Sequence, residues 1–371
     1  IYSPNNILAS QWEPACLPSP WSSNSIPIKE LHPNYDIVIF EHNDKLNKKI
    51  YATGNGKCNF ANSGNLKEKY NNNSFVLPYL NEHGYKEISE YFTEIGIPNV
   101  LEGDLAYPMS KSAQTVGFMF EKRMKELDVK SHLSINVIDY KKHGNCWEIE
   151  TNNGNFIVDK IIISCGGKSS PQLGSDGSIF SILKSHNYQI TEMNPSLCPI
   201  KVKENTKLVD GVRSEANVKV FEGNELIHEE LGELLFKDNG LSGIVIMNAS
   251  HFINELNKSK VRISIDLAPR VKEEIPAKNY LMYVQPKLAK YLDSNKLNIH
   301  NVVFNFKGFY DYANSHVTCG GVALDNVTND LESKIEKGVY FLGEALDING
   351  MCGGYNMMWC FASANHVSRK I

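Results

Sequence analysis

An α/β fold in which one domain is interrupted by another is predicted by one recurrence and one break. Three short apolar strands run straight into polar or glycine-rich turns: residues 36–40 into Glu41, residues 160–164 into Cys165, Gly166 and Gly167, and residues 338–342 into Gly343 and Glu344. Unbroken apolar runs of this length are the pattern of parallel strands covered on both faces. From about residue 193 the grammar changes to longer polar stretches with alternating strands, and it returns near residue 317. The expected organisation is an atypical segment over 1–28, the first part of a strand, turn and helix domain over 29–192, an inserted β-rich domain with a helical part over 193–316, and the second part of the first domain over 317–371.

Each element has its own warrant. Pro4, Pro14, Pro18 and Pro20 interrupt any period in the first 26 residues, so no element is assigned there. Residues 36–40 form the first assigned strand, with an acid at its carboxyl end. Ile88, Tyr91, Phe92 and Ile95 share one helical face, as do Val116, Phe120, Met124 and Leu127. Residues 131–138, 146–151 and 156–158, separated by Gly144 and by Asn152, Asn153 and Gly154, read as three antiparallel strands. In the insert, residues 218–221 and 261–266 alternate as strands, and residues 278–292 place Leu281, Val284, Leu288, Tyr291 and Leu292 on one helical face. The apolar stretch 357–367 after the last glycine turn reads as a helix.

Composition removes several classes. A chain of 371 residues, 42% hydrophobic and 22% charged, with net charge −4, is long enough for two or three domains and presents no broad basic field. Nucleic acid is therefore not an expected partner. No apolar run approaches the ~20 residues that span a bilayer, so no membrane attachment is expected either. The eight cysteines show no C-x-x-C pair and no zinc-like spacing, which reads as reduced thiols of a cytoplasmic protein without a metal site. The first thirty residues lack a charged stretch followed by an apolar one, so no secretory signal is expected.

Four pieces, in order, carry chemistry. Glu41, ending its strand, is placed to accept hydrogen bonds from the hydroxyls of a nucleotide ribose, although an acid after a strand is also an ordinary solvated loop residue. The run Thr53, Gly54, Asn55, Gly56, Lys57, Cys58 and Asn59 lets backbone approach a ligand, offers Lys57 to a phosphate, and follows Lys48 and Lys49, which add positive charge. The same residues also suit a plain tight turn. Gly166 and Gly167, with Ser175 as the cap of a helix near Gly177, allow a sharp turn beneath a cofactor or an ordinary strand-to-helix connection. Last come Gly343, Glu344 and Asp347, then Gly353, Gly354, Tyr355 and Asn356, a strand, an acidic turn and a helix whose amides can face an electron-rich group.

On these residues the chain resembles the bacterial flavoprotein family that includes the BaiN-like and aminoacetone-oxidase-like FAD-dependent oxidoreductases. The resemblance runs through residues 48–62, 166–177, 232–236 with 240–243, 317–322 and 338–356. It implies a discontinuous FAD/NAD(P)-binding Rossmann-like domain with an inserted β-rich domain and a small helical part. It further implies that Glu41 binds the adenosine ribose and that Val137 contacts adenine through its backbone. The loop from Gly54 to Asn59 would line FAD, Gly166 and Gly167 would lie by the pyrophosphate, and Glu344, Asp347 and the turn from Gly354 to Asn356 would approach ribityl and flavin. The pattern departs at its start. Members open with strand, G-x-G-x-x-G turn and helix, whereas this chain has no glycine before Gly54, and only Lys29, Glu30 and Leu31 read as the end of that helix. The expected activity is hydride transfer between FAD and a small organic substrate, with NAD(P)H a candidate donor; the alternative is a flavoprotein-derived binding protein without turnover. No catalytic side chain is assigned, Cys58 reads as a small buried residue more readily than as a flavin-side thiol, and His251 and His316 read as structural.

Overall fold

The computed structural model describes the backbone of residues 6–10 and 21–371, with side chains from residue 25 onward. Residues 1–5 and 11–20 lie outside it, so the expected loss of the glycine turn falls outside the described residues. Two compact units emerge: one formed by residues 1–194 with 316–371, the other by residues 195–315.

The first unit is built on a five-stranded sheet. Its order is Val339–Phe341, Lys160–Ile163, Asn6–Ser10, Asp36–Glu41 and Lys130–Leu133, and every adjacent pair is parallel. In chain order that is the 3-2-1-4-5 arrangement of a doubly wound fold, with its switch point between the first and fourth strands. The apolar runs explain the burial: Ile37, Ile39 and Phe40, then Ile161, Ile162 and Ile163, then Val339 and Phe341 are all buried.

Two expectations are corrected here. The N-terminal segment is not without structure, since Asn6–Ser10 is the central strand and Trp21–Leu31 is a helix. Proline density hid both, yet Asn6–Ser10 precedes Pro14, and Pro27 sits inside the helix. The stretch 131–138 is also two strands in two sheets. Lys130–Leu133 extends the parallel sheet, while Val137–His143 opens an antiparallel meander with Cys146–Thr151 and Gly154–Val158.

Helices Tyr85–Glu94 and Ala113–Glu126 bury Ile88 and Phe92, and Val116, Phe120 and Met124, on the expected faces. The terminal helix Tyr355–Ser368 is buried nearly all round. Its partners include Phe92 and Phe120, whose rings meet Phe361 at centroid distances of 5.2 and 6.3 Å.

The second unit is a closed antiparallel barrel of six strands, in the order Ile200–Val202, Gly240–Ser242, Glu225–Lys237, Arg213–Glu222, Val261–Asp266 and Val302–Phe309. Val218, Phe236, Ile263 and Phe304 fill it. The single helix expected over 278–292 is a 3-10 turn, Ala277–Met282, followed by a helix, Pro286–Ser294. Pro286 lacks an N–H and fixes its φ, which suits the first turn of a helix and not an interior.

Candidate functional site

A parallel sheet in register brings the carboxyl ends of all its strands to one edge, and ligands of doubly wound folds bind there, beside the switch point. At this edge the chain leaves the strands at Glu41, Leu133, Ile163 and Phe341. The predicted residues Glu41, Gly166, Gly167, Gly343 and Glu344 therefore fall on the same side of the sheet.

Glu41 is fully buried, and its Oε1 accepts from the backbone N–H of Asn43 at 2.8 Å and from the Asn43 side chain at 3.0 Å. The Glu41 carbonyl accepts from Ile135 N–H at 3.0 Å, which brings the chain just before Val137 alongside it. Val137 is buried and pairs with Thr151 at the start of the meander. Lys48 points elsewhere: its Nζ meets Asn43 Oδ1 at 3.0 Å and Asp44 at 2.7 Å.

The densest chemistry lies between the fourth and fifth strands. Lys49, fully buried in the short helix Lys48–Ala52, donates to the Ser169 carbonyl at 2.6 Å. Thr318 Oγ1 accepts from Lys168 N–H at 2.7 Å and Ser169 N–H at 3.2 Å, tying the glycine turn to the 316–319 segment. Glu344 lies beneath this knot at 2% exposure, its Oε1 accepting from Thr318 N–H and its carboxylate also reached by the Gly167 backbone. Its other oxygen, Oε2, is buried with no hydrogen-bond partner among the described residues. Burial pushes the Glu344 carboxyl up to about 7, against the opposing pull of the Lys49 charge and the Thr318 and Gly167 donors. The same burial, with the Lys49 charge, pushes His316 below the usual imidazole range.

The glycine pair has a local reason. Gly166 has φ 67°, and a Cβ on Gly167 would lie 2.3 Å from Thr318 Oγ1. Ser175 does not cap a helix, because its hydroxyl donates to the Gly167 carbonyl at 3.0 Å and the next helix begins only at Ile179.

The Gly54 loop is a run of left-handed residues: Gly54 and Asn55 at φ 54°, Gly56 at 81° and, after Lys57, Cys58 at 59°. Residues Gly54, Asn55, Gly56 and Lys57 are exposed, while Cys58 is fully buried and its thiol is pushed up to about 12 by that burial. Cys58 thus packs as a small apolar side chain. Asn59 fixes the end of the loop by donating to the carbonyls of Ala61, at 3.2 Å, and Ala106, at 2.9 Å.

The last turn is held from within. Gly354 is the left-handed N-cap of the terminal helix, with φ 87°, and Gly353 precedes it at 119°. Asn62 donates to the Gly353 carbonyl at 2.8 Å. Asn356 faces back into the turn, accepting from Gly350 N–H at 2.6 Å and donating to the carbonyls of Gly350 and Met351. Tyr355 is buried, and its carbonyl accepts from the Tyr70 hydroxyl at 2.7 Å. Asp347 accepts from Asn71 Nδ2 at 3.0 Å and Gly320 N–H at 3.2 Å. Asn71 and Asn72, which the sequence analysis does not single out, both reach the Asp347 carbonyl. Sequence reading also missed Thr318, whose one signal was its place inside the 317–322 resemblance.

A buried acid pair of strand ends, a glycine turn at the switch point and a meander beside them define a nucleotide-binding Rossmann-type unit carrying an inserted barrel. The chain belongs to the HI0933-like protein Rossmann domain family, matched over residues 27–370. It is 28% identical over 375 residues to the 3-dehydro-bile acid delta(4,6)-reductase of Clostridium scindens, covering 90% of this chain and 92% of that one. It is 24% identical over 371 residues to the ribosomal RNA dihydrouridine synthase of Haemophilus influenzae, covering 88% and 90%. Likeness to solved structures is slight: 3-ketosteroid delta1-dehydrogenase from Sterolibacterium denitrificans aligns over 99% of this chain and 100% of its own, at 10% identity and TM-score 0.49. No helix among the described residues is long and apolar enough to cross a membrane.

Proposed function

We propose that this chain is an FAD-dependent oxidoreductase that transfers a hydride between flavin and a small organic substrate. The observation that carries the reading is Glu344 Oε2, a carboxylate oxygen buried without a hydrogen-bond partner among the described residues, at the carboxyl edge of the sheet. A buried acceptor of this kind calls for a donor, and the hydroxyls of a ribityl chain supply one. FAD therefore fits the residues present. Bound there, it would supply the hydride chemistry.

The chain's own part is binding and electrostatics. Glu41 would take the adenosine ribose, with the Val137 backbone beside it. Gly166 and Gly167 would let the chain pass close to the pyrophosphate, with the Gly54 to Asn59 loop along the cofactor. Lys49, buried beside Glu344, would keep that carboxylate more ionised than burial alone permits. Glu344 would hold ribityl, and the Gly354 N-cap would aim the amides of its helix toward the electron-rich edge of the flavin. Gly343, Gly353 and the side chains of Asp347 and Asn356 shape this turn from inside.

The name of the Clostridium scindens relative lends support to a small organic substrate, and the net charge of −4 argues against an RNA one, although the Haemophilus influenzae relative is named for rRNA. A second reading, a binding protein without turnover, rests on one observation: no glycine stands before Gly54, so the sequence between the first strand and its helix lacks the glycines of the usual phosphate-cradling motif. Anaerobic mixing with NADH and with NADPH separates the two. Bleaching of bound flavin by either, followed by recolouring on addition of an enone substrate, is expected; flavin that binds but is reduced by neither nucleotide and by no substrate supports the second reading.

A further inference from the structure

We infer that the ends of two helices, Asn73–His83 and Tyr355–Ser368, form a site for one divalent transition-metal ion, with zinc the best match, held by Glu82, His83 and His366. This site is independent of the flavin reading. A ring nitrogen from each histidine and a carboxylate oxygen of Glu82 lie within 4.8 Å of one another. The Glu82 oxygen is already 3.4 Å from His83 Nε2, which is about the separation of two ligands around a tetrahedral zinc with bonds near 2.0–2.1 Å.

The second observation is the state of His83. It is fully buried at the end of its helix, and its Nε2 has no hydrogen-bond partner among the described residues. A buried ring nitrogen without a partner is costly unless something occupies it. Its other nitrogen, Nδ1, lies 2.9 Å from Glu87 Oε2. A carboxylate only accepts, so the tautomer that satisfies this contact carries the proton on Nδ1 and turns the lone pair of Nε2 toward Glu82. That carboxylate, histidine and metal relay is the arrangement in which ligating histidines are held.

Arg369 competes for the same nitrogen, with NH1 2.9 Å from Nδ1, but it also donates to Glu87 Oε1 at 2.8 Å, where Asn365 adds a bond at 3.1 Å. A cation at Nε2 resolves the competition in favour of Glu87 as the acceptor.

His366 follows the same logic. Its Nε2 lies 3.1 Å from the Asn329 carbonyl, an acceptor that fixes the N–H there and leaves Nδ1 unprotonated. The fold adds two supports. Both histidines fall in the last turn of their helices, where the backbone dipole favours positive charge. Glu82 and His366 also line an open cavity of about 340 Å³ with Tyr79 and Asn329, which gives an ion a path from solvent. A ligand set of two imidazoles and one carboxylate leaves a fourth position for water.

The test is equilibrium dialysis of the full chain, stripped with chelator, against Zn²⁺, with bound metal counted by elemental mass spectrometry. One Zn²⁺ per chain is expected. Glu82→Gln, a change at an exposed side chain that leaves the fold intact, should weaken binding at least about tenfold, and Glu82→Gln with His366→Gln should abolish it. Zinc should also raise the melting temperature of the parent chain and not that of the double variant. Absence of stoichiometric zinc in the parent overturns the site. So does zinc held equally well by Glu82→Gln, which would place the metal elsewhere, whatever the second substitution does to folding.

Discussion

Glu344 is the residue on which the account turns, and its environment makes a signed prediction. Its carboxyl rises from the ordinary glutamate value of 4.5 to about 7 in the folded chain because burial penalises the charge. A raised acid holds its proton more tightly folded than unfolded, so its contribution is present in full below 4.5 and is lost as pH rises to 7. Between those values the ligand-free chain should lose roughly 3 kcal/mol of stability from this one group, and Glu344→Gln should flatten that slope. Urea midpoints at pH 4.5 and 7.5 check it; equal slopes in the two chains would contradict the assignment. Cys58, fully buried with its thiol pushed up to about 12, should resist iodoacetamide at pH 8 in the native chain and react after denaturation. Rapid native alkylation, read by peptide mass, would mean the thiol is exposed. Gly354 looks from sequence like a flavin-side glycine, yet a Cβ there would meet the Ala61 carbonyl oxygen at 2.5 Å, and its φ is 87°. Gly354→Ala should therefore cost about 1–3 kcal/mol of stability with or without FAD.

At the scale of elements, the turn from Gly350 to Asn356 is a closed device and not a loose loop. Asn356→Ala would strip the partner from Gly350 N–H and from two carbonyls, and should cost about 1–3 kcal/mol, seen as a lower urea midpoint with unchanged slope. An unchanged midpoint would mean that water replaces the side chain. What was legible at this scale follows from period. The strand ending at Glu41 and the helices burying Ile88 with Phe92 and Val116 with Phe120 stood out because their apolar spacing is regular. The central strand Asn6–Ser10 did not, since Asn6, Ala9 and Ser10 dilute its apolar run and its warrant is pairing with two distant strands. Pro286 was visible in the sequence, but the apolar face running across it concealed the break. Thr318, which organises the glycine turn, has no signal beyond its place in the 317–322 resemblance, because its role exists only once residues 150 positions apart meet.

For the whole molecule, the Rossmann-like α/β domain expected from sequence is present as a doubly wound parallel sheet, and the family match extends over residues 27–370. The two units are separate in the chain's grammar because each has its own hydrophobic core, one around a parallel sheet and one inside a closed barrel. The strand and helix that flank a nucleotide's phosphates are present, while the ten residues joining them contain no glycine. The proposal that Glu41, Gly166, Gly167 and Glu344 hold FAD despite the missing glycines is the central claim, and the Glu344 oxygen that lacks a partner among the described residues supports it. The visible absorbance spectrum of the purified chain, before and after incubation with FAD and removal of the excess, tests it. Flavin bands at close to one FAD per chain, reduced in Glu344→Ala, are the predicted result; a chain that stays colourless after incubation would contradict the account.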